Sequence, residues 1–193
     1  MARLVVVGGQ VRKVGKTSLV TALIRAFPQT GWTAVKISGH AHGTAAPALV
    51  EEKDRSGKTD TARFLQAGAA RAFWVQCPAE RLAEMVPRLQ ELAKREEAVI
   101  IESTSLLEIL EPAVALLVLD PGREDFKDSA RAHLERVDAF VTFEARDRRA
   151  SPSSPFPSGS PRPVFALPPG EECPPALREF VRERLWGRPE ASA

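Results

Sequence analysis

The stretch LVVVGGQVRKVGKTSLVTALIRAF, residues 4–27, decides the fold. Its opening, Leu4 to Val7, is a mostly β-branched apolar run closed by Gly8 and Gly9, as a buried strand ending in a tight turn requires. From Thr17 the spacing changes. Leu19, Val20, Leu23 and Ile24 form a helical stripe that reaches Phe27 and stops before Pro28. Between strand and helix lies GQVRKVGKT, residues 9–17. A loop in that place aims successive backbone N–H groups at an anion, and the helix N-terminus adds partial positive charge.

The anion that suits such a loop is the phosphate chain of a nucleoside triphosphate. Gly9, Lys13, Val14, Gly15, Lys16, Thr17 and Ser18 are the candidate nucleotide contacts. Lys16 reaches the terminal phosphates as a catalytic charge, and the Thr17 hydroxyl is placed to hold Mg²⁺. The usual spacing of such a loop puts glycine where Gln10 stands; here the nearest glycine is Gly9, so the loop is one residue longer. Gly-Lys-Thr alone also fits a plain helix start capped by Thr17. The strand before it and the amphipathic helix after it favour the phosphate site. Arg12 adds further charge nearby.

Outward from this stretch, strands alternate with helices. Thr33 to Ile37 reads as a second strand, and 40–57 as a polar loop without periodicity. Asp60 to Gln66 reads as a helix ending at Gly68, Ala72 to Val75 as a strand, and Ala79 to Arg95 as one helix kinked at Pro87. Ala98 to Ile101, Val114 to Leu119 and Ala139 to Phe143 are nearly all apolar, and each delivers an acid at its end: Glu102, Asp120 and Glu144. The expected fold is α/β, a three-layer P-loop NTPase-like domain whose mostly parallel sheet carries helices on both faces. Ligands then gather at the carboxyl ends of the strands.

A Mg²⁺ site beside a phosphate loop needs a second oxygen ligand from a neighbouring strand end. Glu102 is the first choice, as metal ligand and catalytic acid residue, and Asp120 the alternative. Asp54 is proposed to share the metal shell from a loop that closes over the phosphates, and Asp60 stands near it at the next helix start. Lys36, His40, Lys58 and Asp60 are candidate contacts to a substrate or anion, and Ser103 to Ser105 candidate pocket residues. His40 and His42 without a third ligand make a weak metal site. No Ser-His-Asp or Cys-His set can be argued.

The 193 residues suit one domain: 1–149 for nucleotide binding, a Ser/Pro-rich linker at 150–163, and a strand and helix at 164–193 that complete it. A net charge of +2 gives no field for nucleic acid or an anionic membrane. The 2 cysteines, Cys77 and Cys173, are expected as reduced thiols, and the lack of a signal-like start or a long apolar run points to the cytoplasm.

Two further segments, TAVKISGHAHG at 33–43 and DRSGKTDTARFLQAGAA at 54–70, carry a family resemblance. With the phosphate loop they resemble molybdopterin-guanine dinucleotide biosynthesis protein B (MobB). Its members have a lysine-histidine segment after the second strand and a D-x-x-G-K-D-S segment leading into A-G-A. Lys36, His40, His42, Asp54, Gly57, Lys58, Asp60 and 67–69 occupy similar places. The resemblance implies a GTP-binding P-loop protein of the SIMIBI type that assists guanylation of the molybdenum cofactor, often as a dimer, beside a molybdenum cofactor enzyme. The loop's ending VGKT also looks like that of dethiobiotin synthetase, which implies the alternative of an ATP-dependent small-molecule kinase or ligase. A non-enzymatic nucleotide-dependent switch is a third expectation.

Overall fold

Val5 and Val7 pack into one apolar layer while Leu4 and Val6 pack into the other. The same alternation splits Ala98 and Ile100 from Val99 and Ile101, and Val114, Leu116 and Val118 from Ala115, Leu117 and Leu119. Strands that are apolar on both faces need cover on both faces, which a parallel sheet with crossover helices supplies. The structure, a computed structural model, describes residues 3–38, 46–143, 162–168, 170 and 172–187. His40, His42, Glu144 and the serine-proline run at 151–161 lie outside the described residues.

The strands are β1 (Arg3–Gly9), β2 (Thr33–Ser38), β3 (Ala48–Glu51), β4 (Arg71–Gln76), β5 (Ala98–Glu102), β6 (Val114–Leu119), β7 (Ala139–Phe143) and β8 (Val164–Leu167). They form one sheet in the order β3-β4-β2-β5-β1-β6-β7-β8. Every pair is parallel except β3 with β4. The helices are α1 (Lys16–Ala26), α2 (Asp60–Gln66), α3 (Val86–Arg95), α4 (Asp128–Ala132) and α5 (Pro175–Trp186). α1, α2 and α5 cover one face through Leu19, Leu23, Phe64, Val181 and their neighbours. α3, with Leu106 and Leu107, covers the other. The result is a three-layer α/β fold.

Two local readings are corrected. The stretch at 40–57 holds a strand, β3, paired antiparallel to β4 in the register Val50↔Trp74. With only Leu49 and Val50 strongly apolar in its span, it carries too little pattern to be seen. The single kinked helix at Ala79–Arg95 is instead a 3₁₀ segment, Ala79–Met85, followed by α3. Pro87 is the reason: lacking an N–H, it is tolerated in a first helical turn and not mid-helix. Short helical turns at Ser105–Glu108 and Asp128–Ala132 carried no readable period.

Only seven residues long, α2 depends on what it buries. Thr59 caps it by accepting from the Ala62 N–H at 3.0 Å, and Phe64 is fully buried against α1 and the sheet. Phe64→Ala is expected to cost about 3–5 kcal/mol by lost transfer free energy and a residual cavity. Urea unfolding checks this; a shift under about 1 kcal/mol would show that α2 packs loosely.

Candidate functional site

Strand order brings the chemistry together. β2, β5 and β1 are neighbours, so Lys36, Glu102 and Val7 stand side by side in register, as Lys36↔Glu102 and Val7↔Glu102. By alternation Glu102 shares the face of Ala98 and Ile100, the face that α1 and α2 cover. The Thr17 hydroxyl, in the first turn of α1, donates to Glu102 Oε2 at 2.8 Å. Lys36 Nζ donates to Glu102 Oε1 and also pairs with Asp60 Oδ2 at 3.0 Å, Asp60 being the first residue of α2. Glu102 is 2% exposed, so these partners are what allow a carboxylate there.

The phosphate loop is shaped by its glycines and by Gln10. A Cβ on Gly15 would meet the Phe143 ring at 2.2 Å, and its φ of 102° is one that side chains other than glycine's rarely adopt. A Cβ on Gly9 would meet Val14 Cγ1 at 2.6 Å and Lys16 Cγ at 2.8 Å. The Gly9 N–H is already committed, donating to Thr104 Oγ1 at 3.0 Å, and that hydroxyl donates back to the Gly9 carbonyl at 3.3 Å. Gln10 is fully buried. Its amide donates to the carbonyls of Arg123 and Asp125 at 2.9 and 3.0 Å, and its Oε1 accepts from the Asp120 N–H at 2.9 Å. A glycine there would leave those groups in the segment after β6 without partners.

Above these elements opens a cavity of about 640 Å³, a size that suits a small-molecule ligand. Lys13, Gly15, Lys16, Thr17, Ser18, Lys36, Asp60 and Glu102 line it, together with Ser103 to Ser105. Among the described residues, Lys16 makes a long contact, 3.4 Å to the Val11 carbonyl. Burial pushes its ammonium below the usual lysine range; Glu102 works against that shift, while Lys127 and Lys36 add to it. A cation so placed gains from an arriving anion.

Other candidates are placed elsewhere. Gly9 and Val14 support the loop from behind and do not line the cavity. Lys58 is exposed and outside it. Asp54 is not brought to the site: its exposed carboxylate accepts from the Ser56 N–H at 2.8 Å and from the Ser56 hydroxyl, which holds it below the usual carboxylate range. Asp120, also outside the cavity, accepts from the Gly122 N–H at 3.0 Å. In both cases a short polar side chain finds a backbone partner two residues on, a turn device invisible to a count of acids.

Sequence reasoning missed Lys127, Arg63 and Ser129, which also line the cavity, and Glu52, which braces the start of α2. Lys127 follows β6, whose carboxyl end faces the same sheet edge, and that was its only signal. Glu52 clasps the loop before α2, accepting from the Thr59 and Thr61 hydroxyls at 2.9 Å each. Cys77 also borders the cavity. Burial pushes its thiol up, with Glu84 adding to the shift, so it is a poor nucleophile. Among the described residues no group of three or more metal-ligating side chains is found, and no helix is long and apolar enough to cross a membrane.

No protein-family model and no curated protein sequence matches the chain. Solved structures do. HypB from Helicobacter pylori, in complex with nickel, is similar at a TM-score of 0.55 and 15% identity, with 100% of this chain and 92% of HypB covered. LpxK from Aquifex aeolicus, in complex with ATP, gives 0.54 and 18%, covering 86% of this chain and 53% of LpxK. The signal recognition particle receptor FtsY from Elizabethkingia anophelis, in complex with GDP, gives 0.51 and 17%, covering 97% and 65%. The chain thus spans about half of LpxK and just under two thirds of FtsY. These likenesses show the fold, a three-layer α/β sheet of the P-loop NTPase kind.

Proposed function

We propose that this protein binds and slowly hydrolyses a nucleoside triphosphate with Mg²⁺, GTP in preference to ATP, and acts as a MobB-like adaptor in guanylation of the molybdenum cofactor. The observation that carries the nucleotide reading is the contact of Thr17 with Glu102 directly beside Lys16. A hydroxyl and a carboxylate oxygen 2.8 Å apart suit neighbouring positions around Mg²⁺, whose octahedral ligands at 2.0–2.1 Å lie about 2.9 Å from each other. Thr17 and Glu102 would hold the ion. Bound there, Mg²⁺ supplies charge neutralisation at the phosphate oxygens.

Slow turnover follows from the acids. Among the described residues Glu102 and Asp60 are the carboxylates that line the cavity, and Lys36 engages both. Neither is an unpaired general base, which suits slow turnover. The GTP preference, the molybdenum cofactor enzyme as partner and a homodimer rest on the sequence likeness at 33–43 and 54–70. A second reading, an ATP-dependent small-molecule kinase or ligase, is favoured by the cavity's extension past the loop to Ser38, Ala79 and Leu82.

Titration with GTP and ATP, with and without Mg²⁺, followed by phosphate release, separates the readings. Mg²⁺-dependent GTP binding with slow release supports the first. ATP turnover that begins only with an acceptor supports the second, and binding of neither nucleotide overturns both. Thr17→Ala is expected to erase most of the gain from Mg²⁺, about tenfold in affinity or ~1.4 kcal/mol, while Mg²⁺-free binding holds. An unchanged Mg²⁺ response would remove Thr17 from the ion's shell.

A further inference from the structure

Among the described residues six cationic side chains line the cavity, Arg12, Lys13, Lys16, Lys36, Arg63 and Lys127, against the carboxylates of Asp60 and Glu102. Lys36 is occupied by both acids. Lys127 differs. The influences that lower its ammonium are burial first, then the charges of Arg12 and Lys36, with no carboxylate among them. Lys16 and Lys127 both line the cavity, and the two ammoniums lie near enough for Lys127 to lower Lys16. Converging like charges raise the free energy of the empty cavity and are relieved by a polyanion between them.

The placement of Lys127 is built. Its N–H donates to the Gln10 carbonyl at 3.1 Å, and the Gln10 side chain holds the three preceding positions at Asp120, Arg123 and Asp125. The phosphate loop and the segment 120–127 are therefore one unit, joined through a fully buried amide. This explains the departure of the loop from the usual glycine at residue 10.

We propose that Lys127 contacts the terminal phosphoryl group of the bound nucleoside triphosphate together with Lys16, and that Gln10 is the positioning residue that holds it there. The inference rests on the nucleotide reading above and adds a contact from outside the phosphate loop. An ammonium placed in this way favours the triphosphate over the diphosphate, because only the triphosphate has the group it touches.

Calorimetric titration of the full chain with Mg²⁺ and either a non-hydrolysable GTP analogue or GDP tests it. Lys127→Met is expected to weaken the triphosphate analogue about tenfold or more and GDP less than about twofold, with Lys127→Arg restoring most of the loss. Gln10→Met is expected to reproduce the selective loss, and the double variant to add nothing further. Equal losses for both nucleotides, or none, would overturn the contact. Additive losses would overturn the positioning role. Should Gln10→Met fail to fold, the two Lys127 variants decide alone. Wild-type protein that binds neither GTP analogue nor GDP, nor their adenine counterparts, would overturn the nucleotide reading itself, and this inference with it.

Discussion

Lys16→Ala leaves the protein folded and without measurable affinity for nucleoside triphosphate. The first half follows from where the side chain sits: at the first position of α1, partly exposed to the cavity, with a long contact to the Val11 carbonyl among the described residues. Alanine is the best helix former, so nothing local opposes it. The second half follows from charge. Burial and the ammoniums of Lys127 and Lys36 act on Lys16, and an arriving phosphate relieves that crowding. Each charge-assisted hydrogen bond to phosphate contributes about 1.5–3 kcal/mol. Two of them make ~3–6 kcal/mol, or roughly 10²- to 10⁴-fold in affinity. Calorimetry with Mg²⁺ and GTP or ATP, alongside a melting curve, is the check. Retained affinity in a folded variant would sink the assignment of the loop to phosphates.

Glu102→Gln is expected to cut hydrolysis about a hundredfold, ~2.7 kcal/mol in the barrier, while nucleotide still binds. The amide keeps the shape of the carboxylate and can still accept from Thr17, but it no longer offers an anion to the metal. Fold stability is protected by a detail of the site: Lys36 retains Asp60 at 3.0 Å, so the substitution does not strand a half-buried ammonium. Removing Lys36 would be worse, since it would leave the buried Glu102 carboxylate without its cation. Asp54→Asn is the contrast. That side chain is turned onto Ser56 outside the cavity, and its loss should change hydrolysis by less than about twofold. Single-turnover phosphate release on the three proteins settles the order. A twofold effect for Glu102→Gln would show an ordinary buried carboxylate with no part in the reaction.

The site was legible wherever its parts were local. Strand, loop and helix at 4–27 follow one another in the chain, so composition and period sufficed to place Lys16 and Thr17 at a helix start. Glu102 was legible as a candidate because an acid that follows four apolar residues marks the carboxyl end of a strand, where ligands of such a sheet gather. Asp54 and Asp120 share the same chemistry but bond within their own turns, and only geometry separates them from Glu102.

By itself, then, the sequence determined the class of fold, an alternating α/β chain with apolar strands, and the place of its glycine-rich loop between the first strand and the first helix. These depend on hydrophobic period and turn chemistry, which act over a few residues. Tertiary structure decided the rest. That Lys36 faces Glu102 depends on β2 lying beside β5, 66 positions apart in the chain. That Gln10 serves as a clamp depends on the 120–127 segment folding back over β1, and no pattern near Gln10 announces it. Strand order and loop return are set by how the whole core packs, since the pairing of distant strands is favoured only once both faces of the sheet are covered.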